Sequence, residues 1–234
     1  MYKAIFFDLD DTLWSFSKNA EEAFREVYHQ FSFGRYFIDF NHFYSLYQEK
    51  NKELWYLYGQ GKIDRNTLNS VRFHYPLERV GVYDEALVNN YSKYFFRLIP
   101  TKSNLIEGAI DVLEASASKY PLYILSNGFK ELQYEKMRNS NILQYFSGVI
   151  LSDEVGVNKP DARIFNYALQ KAGVINSEAL MVGDNWVADI EGAKNAGIDQ
   201  AFLSKKVSPN NTFIPTYQIT SLMELIDVIV SLIM

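Results

Sequence analysis

Asp8-Leu9-Asp10-Asp11-Thr12-Leu13 stands directly after an apolar run, Ala4–Phe7. Three carboxylates crowded at the end of a buried run repel one another and lose hydration, and a bound divalent cation is the natural compensation. Asp8 and Asp10 can face one crevice if the chain leaves extended geometry after Asp8. An isolated Asp-x-Asp is more often a turn in which Asp and Thr cap backbone groups, so its meaning depends on what else the chain brings to the same place. Gly183-Asp184-Asn185 offers a second acidic point, again after an apolar run, with Asp189 five residues beyond Asp184. Hard oxygen ligands of this kind suit Mg²⁺, which keeps several waters and takes few protein oxygens. Asp189 either supports such an ion from behind or favours a helix N-terminus through the dipole.

Two further groups complement the acids. Ser126-Asn127-Gly128 follows the run Pro121–Leu125, and a hydroxyl with backbone N–H groups at a helix entry can cradle a phosphate or simply cap the helix. In Lys159-Pro160-Asp161 the proline restricts Lys159 to extended geometry and Asp161 can cap a helix starting near Ala162. A lone lysine is usually a solvated charge; beside the acids, a metal and a phosphate it would neutralise a transferring phosphoryl group. Other chemistries lack their residues. There is no cysteine, the three histidines fall at His29, His42 and His74, and neither a Gly-x-Ser-x-Gly elbow nor a Gly-x-x-x-x-Gly-Lys-Ser/Thr cradle occurs.

The elements that must position these groups are runs of strand length at Lys3–Leu9, Pro121–Ser126, Gly148–Leu151, Ala179–Val182 and Gln200–Leu203. Helix-like stretches at about Glu131–Asn139, Ala162–Ala172 and Val187–Ala196 separate the later runs, which predicts βαβ repetition and an α/β fold with a doubly wound parallel sheet. Asp8, Ser126, Asp153 and Asp184 then stand at the carboxyl ends of strands, where open α/β sheets place their ligand crevice. Between Phe16 and Phe96 no run reads as a buried strand, and helical stretches near Ala20–Gln30, Asn41–Tyr58 and Glu85–Phe96 are rich in Phe and Tyr. This predicts an inserted all-helical module at residues 16–96, with the core formed by 1–15 and 97–234. Most of its aromatics are expected to be packing. Leu222–Met234 is oily, but Glu224 and Asp227 interrupt it and its apolar residues recur at helical spacing, predicting a helix packed on the core.

The chain has 234 residues, of which 48% are hydrophobic and 22% charged, and a formal net charge of −5. That composition predicts a globular protein with no basic field for a nucleic-acid polymer and no segment for a membrane. The N-terminal apolar run is cut short by Asp8, which speaks against an export signal and for a cytoplasmic protein; a monomer or homodimer is expected, with no residue pattern that chooses between them.

Taken in order, Asp8–Leu13, Ser126, Lys159 and Gly183–Asp189 resemble the four motifs of the haloacid dehalogenase superfamily of phosphatases, and the resemblance covers essentially the whole chain. It implies a Rossmann-like core with a helical cap, Asp8 as nucleophile through an aspartyl-phosphate, and Asp10 as general acid/base. Ser126, Asn127 and Lys159 become phosphate ligands; Asp8, Asp184 and the backbone carbonyl of Asp10 become Mg²⁺ ligands; Asp11, Thr12, Asn185 and Asp189 support the site. A dehalogenase of this superfamily lacks an acid two residues after its nucleophile, so Asp10 argues for a phosphatase. The segments Ser126–Phe129, Val155–Asp161 and Gly183–Asn185 are similar to the noncanonical 5′-nucleotidase branch. The expected partner is a small phosphorylated metabolite, preferentially a nucleoside monophosphate whose base the aromatics near Trp14 and Phe16 could stack on. Sugar phosphates, phosphoglycolate, acylneuraminate phosphate, a phosphomutase activity and a non-catalytic binding module remain the alternatives.

Overall fold

The computed structural model describes residues 1–204 and 212–231. Its sheet consists of β1 (Ala4–Phe7), β2 (Leu122–Ser126), β3 (Phe146–Leu151), β4 (Ala179–Gly183), β5 (Asp199–Leu203) and β6 (Tyr217–Ile219). The strands lie in the order β3-β2-β1-β4-β5-β6 and every pairing is parallel. All residues of β1, β2 and β4 are buried, so both faces of the central sheet are covered and alternation is lost from their sequences. One face packs Phe6, Leu125 and Met181 against Ile164, Phe165 and Ala168. Strand order reverses beside β1, and in a doubly wound sheet the ligand crevice opens beyond the carboxyl ends at that switch point.

The helices are α1 (Phe16–Gln30), α2 (Phe40–Gly59), α3 (Arg65–Arg79), α4 (Glu85–Leu98), α5 (Ala109–Ala117), α6 (Lys130–Asn139), α7 (Ser152–Val155), α8 (Ala162–Ala172), α9 (Gly192–Asn195) and α10 (Leu222–Ser231). Among the described residues no helix is long and apolar enough to cross a membrane. Helix α10 buries Leu222, Leu225 and Ile229 and packs with α5; residues 232–234 of the expected helix lie outside the described residues.

Three details differ from the sequence expectation. The three-residue β6 is too short to leave a pattern. Helix α3 was hidden by Pro76 within it and by its polar composition, although Leu68, Arg72, Phe73, Pro76 and Leu77 form a buried stripe at helical spacing. The helix expected at Val187–Ala196 begins instead as a wide turn over Trp186–Glu191, in which the carbonyl of Asn185 accepts from the N–H groups of both Asp189 and Ile190.

The chain forms two compact units, Met1–Phe16 with Ser103–Met234, and Ser17–Lys102. In the second unit, helices α2, α3 and α4 start on Asp39, Asp64 and Asp84, whose carboxylates accept from the N–H groups of His42, Thr67 and Leu87. The aromatics of this unit build its core. Phe24 lies 4.1 Å from Tyr47 and 4.2 Å from Phe95, centroid to centroid, and also meets Phe43 and Phe73. Truncating a fully buried ring at the centre of such a cluster costs both transfer energy and a cavity. Phe24→Ala should therefore destabilise this unit by about 3–5 kcal/mol, seen as a shift of its urea transition to lower denaturant.

Candidate active site

β1 and β4 are neighbours at the switch point, with Phe7 opposite Val182. The Asp8 N–H donates to the Val182 carbonyl at 2.9 Å, so the sheet register itself fixes where this carboxylate emerges. Beyond it the chain folds back at once: the N–H groups of Leu13 and Trp14 donate to the Leu9 carbonyl, and Asp11 takes a left-handed conformation at φ 59°. The chain thus leaves extended geometry after Asp8, as the sequence required for both carboxylates to serve one crevice.

Lys159 is the hub. Its side chain is only 2% exposed, and its ammonium donates to Asp8 Oδ1 at 2.6 Å, Asp189 Oδ1 at 2.6 Å and the Leu125 carbonyl at 2.7 Å. An ammonium has three protons, and all three are used. The loop behind it is clasped by Asn127, whose amide donates to the Lys159 carbonyl at 2.9 Å and accepts from the Lys159 N–H at 2.7 Å. The Asn127 side chain, expected at the phosphate, is thereby committed to holding Lys159. The Lys159-Pro160 peptide is cis, and Asp161 caps α8 by accepting from the Arg163 N–H.

On β4, Gly183 makes room for Asp189. A Cβ at Gly183 would stand 2.3 Å from Asp189 Oδ2, so the acid could not lie against the strand end if any other residue were there. The same oxygen accepts from the Asn185 N–H at 3.0 Å, while the Asn185 side chain caps the wide turn at Ala188. Asp189, 1% exposed, thus has one oxygen on Lys159 and the other on the backbone. Thr12, fully buried, donates to Asp184 Oδ1 at 3.1 Å.

Oxygens of Asp8, Asp184 and Asp189 lie within 4.8 Å of one another. Three carboxylates here face one ammonium, and the electrostatics record the surplus. Burial pushes the Asp8 carboxyl up to about 7; Lys159 opposes the shift, while Asp189 and Asp10 add to it. Asp184 is raised well above the ordinary carboxylate range, first by burial and then by Asp8, Asp189 and Asp11. Burial alone would lower the Lys159 ammonium, but Asp189 and Asp8 outweigh it and hold it above its ordinary value. Clustered hard oxygens with uncompensated negative charge fit a divalent cation such as Mg²⁺.

Asp10 faces other partners. Its Oδ1 accepts from the Lys136 ammonium at 2.7 Å and its Oδ2 from Gln133 Nε2 at 2.8 Å. The same Gln133 nitrogen donates to Ser126 Oγ at 2.8 Å, and the Gly128 N–H donates to that oxygen at 3.1 Å. Gly128 leaves the space that Gln133 fills: a Cβ there would stand 2.0 Å from Gln133 Nε2. The Lys136 ammonium also lies 4.5 Å over the Trp14 ring, which with Phe16 packs beside it. Gln133 and Lys136 were missed in the sequence. The available signal was their spacing of three on the helix that follows Ser126-Asn127-Gly128, where they share the buried face with Met137; nothing in the sequence alone separates them from the solvated residues of that polar helix.

Acids paired with Lys159 and Lys136 at the switch point of a doubly wound sheet mark an α/β fold with its polar groups gathered at the carboxyl ends of the strands. The chain belongs to the haloacid dehalogenase-like hydrolases, whose family model matches residues 2–197. It is similar to the HAD-hydrolase YfnB of Bacillus subtilis, at 29% identity over 97% of this chain and 95% of the relative. A crystal structure of YfnB bound to magnesium superposes with a TM-score of 0.86 at 28% identity, covering 97% of this chain and 98% of that one. Pyrimidine 5′-nucleotidase YjjG of Escherichia coli is 33% identical over 94% of this chain and 95% of its own. Glyceraldehyde 3-phosphate phosphatase of Pyrococcus abyssi is 36% identical over 85% and 79%. YfnB and YjjG fit the noncanonical 5′-nucleotidase branch, and family and relatives together support a phosphoric monoester hydrolase.

The raised carboxylates give a signed prediction for metal-free protein. Asp8 has a folded value of about 7 against an ordinary 3.8, so folding takes up a proton between these values. Its contribution to stability is present below about 4 and lost as pH rises through about 7. A divalent cation that binds the ionised cluster reverses that loss. In thermal melts, Mg²⁺ should raise the midpoint more at pH 8 than at pH 5, and EDTA should abolish the difference.

Proposed function

We propose that this hydrolase cleaves the phosphate ester of a small nucleoside monophosphate, with Asp8 as nucleophile and Asp10 as general acid and base. The observation that carries the reading is the Asp8 carboxylate, fixed at the end of β1 by Lys159 and gathered with Asp184 and Asp189 into one cluster. Asp8 and Asp184, with the Asp10 backbone carbonyl, would hold Mg²⁺, which when bound supplies positive charge against the phosphoryl oxygens. Lys159 opposes the burial that favours the protonated form of Asp8 and aims its carboxylate. Ser126 donates its hydroxyl to a phosphoryl oxygen, and an Asp8 oxygen attacks phosphorus in line with the ester bond. That bond breaks as Asp10 passes a proton to the leaving oxygen, freeing the nucleoside. Asp10, now ionised, takes a proton from water as the water oxygen attacks phosphorus; the Asp8–phosphorus bond breaks and inorganic phosphate leaves.

Similarity to a pyrimidine 5′-nucleotidase supports a nucleotide as substrate. A second reading, a phosphatase of small sugar phosphates, is favoured by the similarity to glyceraldehyde 3-phosphate phosphatase. A phosphate-release screen over pyrimidine and purine nucleoside monophosphates and sugar phosphates separates the two: release from pyrimidine nucleotides is expected, and turnover confined to sugar phosphates would overturn the nucleotide assignment. Asp8→Asn should lower kcat by about a thousandfold or more while the thermal midpoint shows a folded protein; near-normal turnover would remove Asp8 as nucleophile. Asp10→Asn should cost about 10²–10⁴-fold.

A further inference from the structure

Gln133 and Lys136, one turn apart on α6, touch Asp10 on both of its carboxylate oxygens, and Gln133 also touches the Ser126 hydroxyl. We propose that they are positioning residues: Gln133 sets the Ser126 hydroxyl as a donor toward the phosphoryl group and, with Lys136, aims the Asp10 carboxylate at the leaving oxygen. The inference rests on the roles assigned above to Ser126 and Asp10.

A hydroxyl oxygen accepts two hydrogen bonds and donates one. Ser126 Oγ already accepts from the Gly128 N–H and from Gln133 Nε2, so its proton is the part left to offer, and an anion is the partner that wants it. The Gln133 nitrogen has two protons; one goes to Ser126 and the other to Asp10 Oδ2. Turned round, the amide would set its carbonyl oxygen against a carboxylate, which fixes its orientation. The other end of the amide has no partner among the described residues: Gln133 Oε1 is buried and unpaired. Leaving a buried acceptor unpaired is a cost, accepted here by a fully buried residue that spends its only nitrogen on two groups of the site.

Lys136 touches Asp10 and not Ser126. Its ammonium is 5% exposed, pairs with Asp10 Oδ1 and lies over Trp14. With both oxygens held, the Asp10 carboxylate cannot turn freely about its last bond, and α6 becomes a rigid bracket between the acid/base and the phosphate-binding hydroxyl.

The two residues separate in experiment because one touches Ser126 and the other does not. Gln133→Met keeps length and volume but removes both donors; Lys136→Met removes one. Each variant is assayed for kcat/KM on a nucleoside monophosphate, whose alkoxide leaving group needs a proton, and on 4-nitrophenyl phosphate, whose phenolate does not. Competitive inhibition by inorganic phosphate reads the Ser126 side. Both variants should lose about tenfold or more in the ratio of the first kcat/KM to the second. Only Gln133→Met should weaken phosphate inhibition, severalfold, and it should do so no further when Ser126→Ala is already present. Lys136→Arg should restore most of the lost ratio. Equal losses on the two substrates, or additive effects of Gln133→Met and Ser126→Ala on phosphate inhibition, would overturn the inference. Should Gln133→Met fail to give a folded circular dichroism spectrum, an unchanged substrate ratio in Lys136→Met overturns the bracket by itself. Wild-type protein inactive on both esters would count against the phosphatase reading instead.

Discussion

The site depends on one buried ammonium. Lys159 reaches from its own loop to the end of β1, to the end of β2 and to the turn after β4, and binds an acceptor at each. Four segments separated by long stretches of sequence are thereby pinned within the span of a single cation. Burying that charge is costly, and the cost is met because every proton finds an oxygen and two of the oxygens are anionic. The converse also holds. Removing the lysine would leave Asp8 and Asp189 facing each other in a dry interior, so structure and chemistry at this point share the same atoms.

The carboxylates around it are not equivalent. Asp189 is spent on architecture, with one oxygen on Lys159 and the other on the backbone. Asp184 is steadied by Thr12 and otherwise pushed toward protonation by burial and then by its acidic neighbours. Asp8 stands between the ammonium and the acid cluster. Asp10 is held away from Lys159 altogether, on α6. Each carboxylate thus meets a different field, which is how several acids of one chemical type can do different work in one crevice.

Much of this was legible in the sequence because strand ends and acids coincide there. The five longer strands announced themselves as apolar runs, and Asp8, Ser126 and Asp184 each followed one directly, so the sheet alone predicted that they would converge. Asp189 was readable only as an acid near a helix start; that it lies beneath Gly183 follows from the wide turn at Trp186–Glu191, which has no signature distinguishable from an ordinary helix. Asn127 was read as a phosphate contact because Asn beside a Gly at a helix entry suits that task equally well. Gln133 and Lys136 were invisible for a different reason: α6 is mostly polar, with Leu132 and Met137 its aliphatic residues, and burial of two of its polar residues is decided by what the loop after β1 presents to them. Helix α3 was obscured by its proline, while its Asp64 cap was of the same kind as those of α2 and α4.

The place of β1 in the sheet has a consequence for how the protein is made. Of the six strands of the sheet, β1 is translated before the other five and is a central one, and the partners that must flank it begin only at Leu122 and Ala179. Until those arrive, an oily tetrapeptide has no edge to join, and the segment that follows it, Ser17–Lys102, carries an aromatic interior of its own and can gather around that first. The carboxylate cluster is therefore a late product of synthesis, since Asp8 waits for Lys159, Asp184 and Asp189 to be translated before it can close.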